Sequence, residues 1–267
     1  MMNKINELEQ YCLKKEEWMN GYIKSFYSKD KNVQEGILIK EEHTRKVTAI
    51  AYSLAVHLQM NEHDALLARI IGLFHDIGRF KQFSIYKTFN DAQSENHALL
   101  GLKILKEQRL LGELTETDQT LIEFAVKNHN AKQVEPTEDR RYLFFARLIR
   151  DADKLDIFRV LQPYLTTDDV EPCSKTFIGQ FKNGGQCDYN MIRTQNDRKL
   201  VRLLWIYDVN FSWTLDKIVS QGYVAEIVKS LPQTEDMKKG FALLKKYIMH
   251  KLQYEDKPFC YRDEKTQ

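Results

Sequence analysis

At 267 residues the chain is long enough to bury a core without staples, as one large domain or two smaller ones. Hydrophobic residues make up 43%, charged residues 29% and the formal net charge is +2, so nothing calls for nucleic acid or a membrane surface as obligatory partner. The four cysteines (Cys12, Cys173, Cys187, Cys260) lack CxxC spacing and fit reduced thiols of a cytoplasmic protein, and neither a signal core in residues 1–9 nor a run of the ~18 apolar residues that span a bilayer is present.

With only 5 prolines and 11 glycines, and apolar residues recurring at three and four, the pattern predicts an all-α chain. Residues 5–27 form a first amphipathic helix, with Leu8, Tyr11, Trp18, Tyr22 and Phe26 as its core stripe. A second helix spans 37–58. Its stripe of His43, Val47, Ile50, Leu54 and His57 puts His43 on the buried face near the N-terminal end and makes His57 a core residue. Asn61, with acidic Asp64 three residues on, caps a third helix that runs into His75-Asp76 and is stopped by Gly78. Residues 81–93 show no clean helical period and read as a loop over whatever His75 and Asp76 bind. Ser94 caps the next helix, whose inward face is His97, Gly101 and Ile104. Gly101 costs about 1 kcal/mol of helix propensity relative to alanine and admits a close backbone. Ile122, Ala125, Val126 and His129 share a face in 117–129, and Leu143, Ala146, Ile149 and Asp153 share one in a long helix over 138–164. The stretch 166–196, with Pro172, Gly179, Gly184 and Gly185, is the least regular, and helices at 198–211, 213–229 and 234–254 follow. The expected division is 1–165, carrying the inward histidines, and 166–267, a C-terminal helical subdomain packing on it.

A His-Asp pair at the end of a buried helix is costly unless something binds it, and His75 and Asp76 offer one nitrogen and one oxygen to a metal ion. Singly, each candidate has a plainer explanation. A lone inward histidine is more often hydrogen-bonded to a carbonyl, and Asp153 has Arg147, Arg150 and Lys154 as neighbours. Repetition changes the balance, because five successive helices turn His43, His75, Asp76, His97, His129 and Asp153 inward. Burying six such groups without a cation demands partners that the sequence does not offer. His63 belongs to a helix cap and His250 to a charged C-terminal helix.

The ordered set Glu42-His43-Thr44, His75-Asp76-Ile77-Gly78 and Asp151-Ala152-Asp153-Lys154-Leu155-Asp156 resembles the HD superfamily of metal-dependent phosphohydrolases, over roughly residues 41–158. The resemblance implies an HD-domain-like helical bundle with additional C-terminal helices. It makes Asp153 the closing metal ligand, with Asp151 supporting from outside. Members with two further histidines between the pair and the closing Asp hold a second metal. By that match His43, His75, Asp76 and Asp153 hold one divalent ion, and Asp76, His97 and His129 another. Two metals at ~3.5–4 Å clamp a phosphate and generate a hydroxide; in a one-metal version His97 and His129 contact the phosphate or shuttle a proton. The ligand set does not distinguish Fe, Mn, Mg, Ni or Zn.

The implied reaction is hydrolysis of a phosphate ester of a nucleotide or other small metabolite, with Asp76, His97, His129 and Lys154 catalytic. Lys154 resembles the family's phosphate-contacting lysine, and Arg79 and Lys81 are placed to reach the same mouth. The expected partner is a small phosphorylated substrate, without nucleic acid or membrane, and nothing in the sequence fixes the oligomeric state. No Gly-Tyr-Pro follows His129, which argues against cyclic dinucleotide cleavage, and no Glu-Asp follows the His-Asp pair, unlike alarmone hydrolases. Two alternatives share the resemblance: an HD-type diiron oxygenase, like myo-inositol oxygenase and its organophosphonate-cleaving relatives, and a nucleotide-sensing module without turnover.

Overall fold

The helical period is realised in a computed structural model that describes residues 2–167, 171–184, 191–254 and 256. Gly185, Cys187, Cys260 and part of the irregular 166–196 stretch lie outside the described residues. Among those described there is no strand, so the chain is all-α, and no helix is long and apolar enough to cross a membrane. Two compact units divide between Asp153 and Lys154, inside one continuous helix.

The first unit contains α1 (Met2–Lys24), α2 (Lys31–His57), α3 (Glu62–Phe74), α4 (Ile77–Tyr86), α5 (His97–Glu107), α6 (Glu116–Asn128) and the opening turns of α7 (Arg140–Leu165). Its centre is α3, buried at nearly every position from Asp64 to Phe74 and packed against α1, α2 and α6. The stripe expected on α1 is real: Trp18 stacks on Tyr22 at 5.1 Å, and Tyr22 and Phe26 both meet Phe80 of α4. Such aromatic pairs add about 0.5–1.5 kcal/mol each beyond the area they bury.

Two glycines set the spacing that the site requires. A Cβ on Gly72 would stand 2.8 Å from the Thr48 Cα and 3.0 Å from the Val47 carbonyl oxygen, so α3 and α2 cross backbone to backbone. Gly72 is one turn before His75 and Val47 one turn after His43, so the crossing brings those two histidines together. A Cβ on Gly78 would lie 2.1 Å from the His97 carbonyl oxygen and 2.8 Å from the Gly101 nitrogen, which lets α4 cross α5 just beyond His97. At Gly101 itself a Cβ would meet the Ile77 side chain first, at 3.2 Å, and the Gly78 nitrogen only at an ordinary contact distance of 3.6 Å.

Several boundaries differ from the sequence reading. Gly78 does not stop α3. The break falls at Asp76 (φ −107°, ψ 15°), and Gly78 opens α4, which extends to Tyr86. Residues 81–86 are thus helix and only 87–96 remain as loop, with Lys87 left-handed (φ 55°) and a single 3₁₀ turn at Asp91–Gln93. The period was hidden because the inward face of α4 carries a polar residue. Gln82 is fully buried, its amide saturated by Arg79, Asp91, Ser94 and the Glu95 carbonyl. Asn96, not Ser94, caps α5, accepting from Ala98 and Leu99 N–H groups. His57 is exposed, not core: six residues beyond buried Ala51 at ~100° each, it lies about 120° off the face. Leu58 takes the buried position instead.

The second unit contains the remainder of α7 with α8 (Lys175–Lys182), α9 (Gln195–Leu204), α10 (Ser212–Ser220), α11 (Tyr223–Lys229) and α12 (Glu235–Leu252). The single helix expected over 213–229 is two, parted at Gly222 (φ 81°). Phe158 packs between Trp205 and Tyr223. The fully buried Lys199 is made tolerable by donating to the carbonyls of Thr167 and Ser230. In this unit Lys154 pairs with Asp208 (Nζ–Oδ2 2.8 Å) and donates to its carbonyl, so its ammonium is already engaged.

Candidate metal centre

Helix ends deliver the polar side chains, because there the backbone turns away and leaves the last inward position free. His75 caps the C-terminus of α3 and His129 that of α6, while His97 opens α5. His43 lies on the buried face of α2 and Asp153 on α7. All four histidines and Asp76 are buried.

The six residues converge in two groups around Asp76. The His43 Nε2 atom is 3.3 Å from the His75 Nε2 and 3.1 Å from Asp153 Oδ1. Asp76 Oδ2 faces this group, 3.5 Å from His43 Nε2 and 3.6 Å from His75 Nε2. On the other side, Asp76 Oδ1 is 3.3 Å from His97 Nε2 and 3.5 Å from His129 Nε2, and these two nitrogens are 2.9 Å apart. One carboxylate thus presents a separate oxygen to each histidine pair.

The hydrogen-bond directions decide what can sit between these groups. His75 Nδ1 donates to the Gly72 carbonyl at 2.8 Å, and His129 Nδ1 to the Val126 carbonyl at 2.7 Å. His97 Nδ1 donates to the Asp91 carboxylate at 2.7 Å. With each proton held on Nδ1, a neutral imidazole turns a lone pair at Nε2 toward its neighbours. Burial pushes the His75 imidazolium down to about 3, so that ring is neutral at ordinary pH. Burial works against ionising Asp76, yet Lys40 and the surrounding imidazoles hold its carboxyl well below the usual range. The buried Asp153 Oδ1 has no hydrogen-bond donor. The Nε2 lone pairs of His75, His97 and His129, turned toward the carboxylate oxygens of Asp76 and Asp153, fit a cation in each group, and nitrogen and oxygen donors of this kind suit divalent first-row metals.

Two participants were not singled out by the sequence. Lys40 lies one turn before His43, its Nζ 2.7 Å from Asp76 Oδ2 and 5.5 Å from the centre of the Phe89 ring. Its spacing of three from His43 was the available signal, but a lysine beside a helical ligand usually means only a solvated face. Asp91 lies in the segment read as loop, where no period could mark it. It accepts from His97, from Arg79 (Nη1–Oδ1 2.9 Å), from Gln82 and from Asn130.

The expected phosphate-contacting residues are distributed unevenly. Arg79 stands at the site, its Nε 3.5 Å from Asp76 Oδ1 and without a hydrogen-bond partner, while its Nη1 holds Asp91, Gln82 and the Phe89 carbonyl. Lys81, half-exposed on α4, is two residues on and therefore about 200° round the helix from Arg79.

Residues 41–157 match the family model described as HD domain. No curated protein and no solved structure matches the chain.

Proposed function

We propose that this chain, a member of the HD superfamily through residues 41–157, is a metal-dependent phosphohydrolase acting on a phosphate ester of a nucleotide or other small metabolite. The observation that carries the proposal is Asp76, one carboxylate with an oxygen turned toward each of two histidine groups. Two divalent cations held there would polarise a phosphoryl oxygen and lower the pKa of a water molecule.

The chain's own residues would do the rest. His43, His75, Asp76 and Asp153 would hold one cation, and Asp76, His97 and His129 the other. Asp76, buried and with one oxygen turned to each group, would contribute to holding both. Hydrogen bonds at Nδ1 keep His75, His97 and His129 in the tautomer that binds through Nε2. Lys40 and Arg79, beside Asp76 and mostly screened from water, would offset the charge of an incoming phosphate. Phe89, beneath the Lys40 ammonium and the Arg79 guanidinium, supplies an apolar wall on that side.

The test is elemental analysis of the purified protein together with a screen of phosphomonoesters, phosphodiesters and nucleoside phosphates. The expected result is bound divalent metal and phosphate release that disappears in Asp76→Ala. Oxygen consumption coupled to substrate loss would overturn the hydrolase in favour of an oxygenase. Stoichiometric metal without release from any ester would favour a sensing module.

A further inference from the structure

The two groups are unequal in what they offer a cation. The first has two histidines and a carboxylate of its own, His43, His75 and Asp153, and is also faced by the Asp76 Oδ2 atom at 3.5 and 3.6 Å from its two imidazole nitrogens. The second has three residues, Asp76, His97 and His129. With one carboxylate fewer, and that one shared, the second group should be the weaker site on its donors alone. Its histidines also differ in their outer partners. His129 donates to a neutral carbonyl, as His75 does, whereas His97 donates to the carboxylate of Asp91.

We propose that Asp91 is a positioning residue that raises the second group's cation affinity, so that the site holds two cations instead of one. This inference rests on the two-cation reading of the proposed function. A carboxylate behind a ligating imidazole fixes the ring and raises the basicity of its other nitrogen. Both effects act on His97, whose Nδ1 lies 2.7 and 2.9 Å from the two Asp91 oxygens. Asp91 is itself held from three more directions. Arg79 and Gln82 of α4 bind Oδ1, and Asn130, just after His129, binds Oδ2 at 3.0 Å. Asn130 therefore ties the carboxylate that orients one ligand to the residue following the other. Removing such outer partners typically costs about 10–100-fold in metal affinity.

The experiment is calorimetric titration of the metal-free full chain with Mn²⁺, for wild type, Asp91→Ala, Asp91→Asn and Asn90→Ala. Wild type should bind two equivalents. Asp91→Ala should keep the tight equivalent and lose about 10–100-fold in affinity for the other, with Asp91→Asn between them. Asn90→Ala is the control for loop order, since Asn90 caps the 3₁₀ turn by accepting from the Ala92 N–H without touching His97. It should retain both equivalents. Unchanged binding in both Asp91 variants, or an equal loss in Asn90→Ala, would overturn the role of Asp91 and leave the two-cation reading intact. A single equivalent in wild type would overturn the two-cation reading itself, and this inference with it.

Discussion

Asp76 and His57 make opposite predictions from similar chemistry. Truncating Asp76 removes an oxygen from both groups, so Asp76→Ala should lose bound metal from both, read by elemental analysis. His57 is exposed on α2, and His57→Ala should leave metal content unchanged. A second residue-scale test is His63, which joins the start of α3 to α6. Hydrogen bonds to Asp118 (3.2 Å) and Asp64 (3.4 Å) raise its imidazolium from 6.5 to about 9. Because the folded value is raised, its contribution is fully present below pH 6.5 and is lost as pH rises through about 9. Thermal melts should show wild type losing stability relative to His63→Gln across that window, and parallel curves would contradict the assignment. At this scale His43, His97 and His129 were legible because a polar residue on an apolar helical face stands out. Lys40 and Asp91 were not, since one lysine among 40 basic residues and one aspartate in a polar loop carry no pattern.

Among elements, the α4–α5 crossing is the most constrained feature. Gly78→Ala places a Cβ against the His97 backbone, where nothing flexible can move aside. Overpacking of this kind costs about 1–3 kcal/mol or more, and the first residue displaced is His97 itself. The variant should therefore melt several degrees lower and bind its second cation more weakly. A Gly78→Ala protein with wild-type melting and full metal content would show that the helices can part without consequence. Asn96→Ala removes the side chain that caps α5 and should cost about 1 kcal/mol in denaturant unfolding. The sequence showed α3, α5 and α6 through their apolar stripes, and Asn61 behaves as the cap its position suggests. It did not show that α4 continues to Tyr86. Gln82 is buried through hydrogen bonds whose partners, Arg79 apart, lie 9 to 13 residues away, beyond any local period.

For the whole molecule, the helical class was readable from composition and period, while the division into units was not. A continuous amphipathic helix shows no change of composition at Asp153, the last residue of the first unit's main segment, which Lys154 of the second unit follows in sequence. The six candidate ligands come from all along residues 43–153, so the site depends on the first unit's folded arrangement, not on any local motif. The proposed function requires one buried carboxylate, Asp76, to serve two cations. The most direct measurement is electron paramagnetic resonance of the metal-free chain reloaded with two equivalents of Mn²⁺, compared with Asp76→Ala. Wild type should give a spin-coupled spectrum, and the variant no bound, coupled pair. Two independent, uncoupled Mn²⁺ signals in wild type, or a coupled pair that survives in Asp76→Ala, would contradict that requirement.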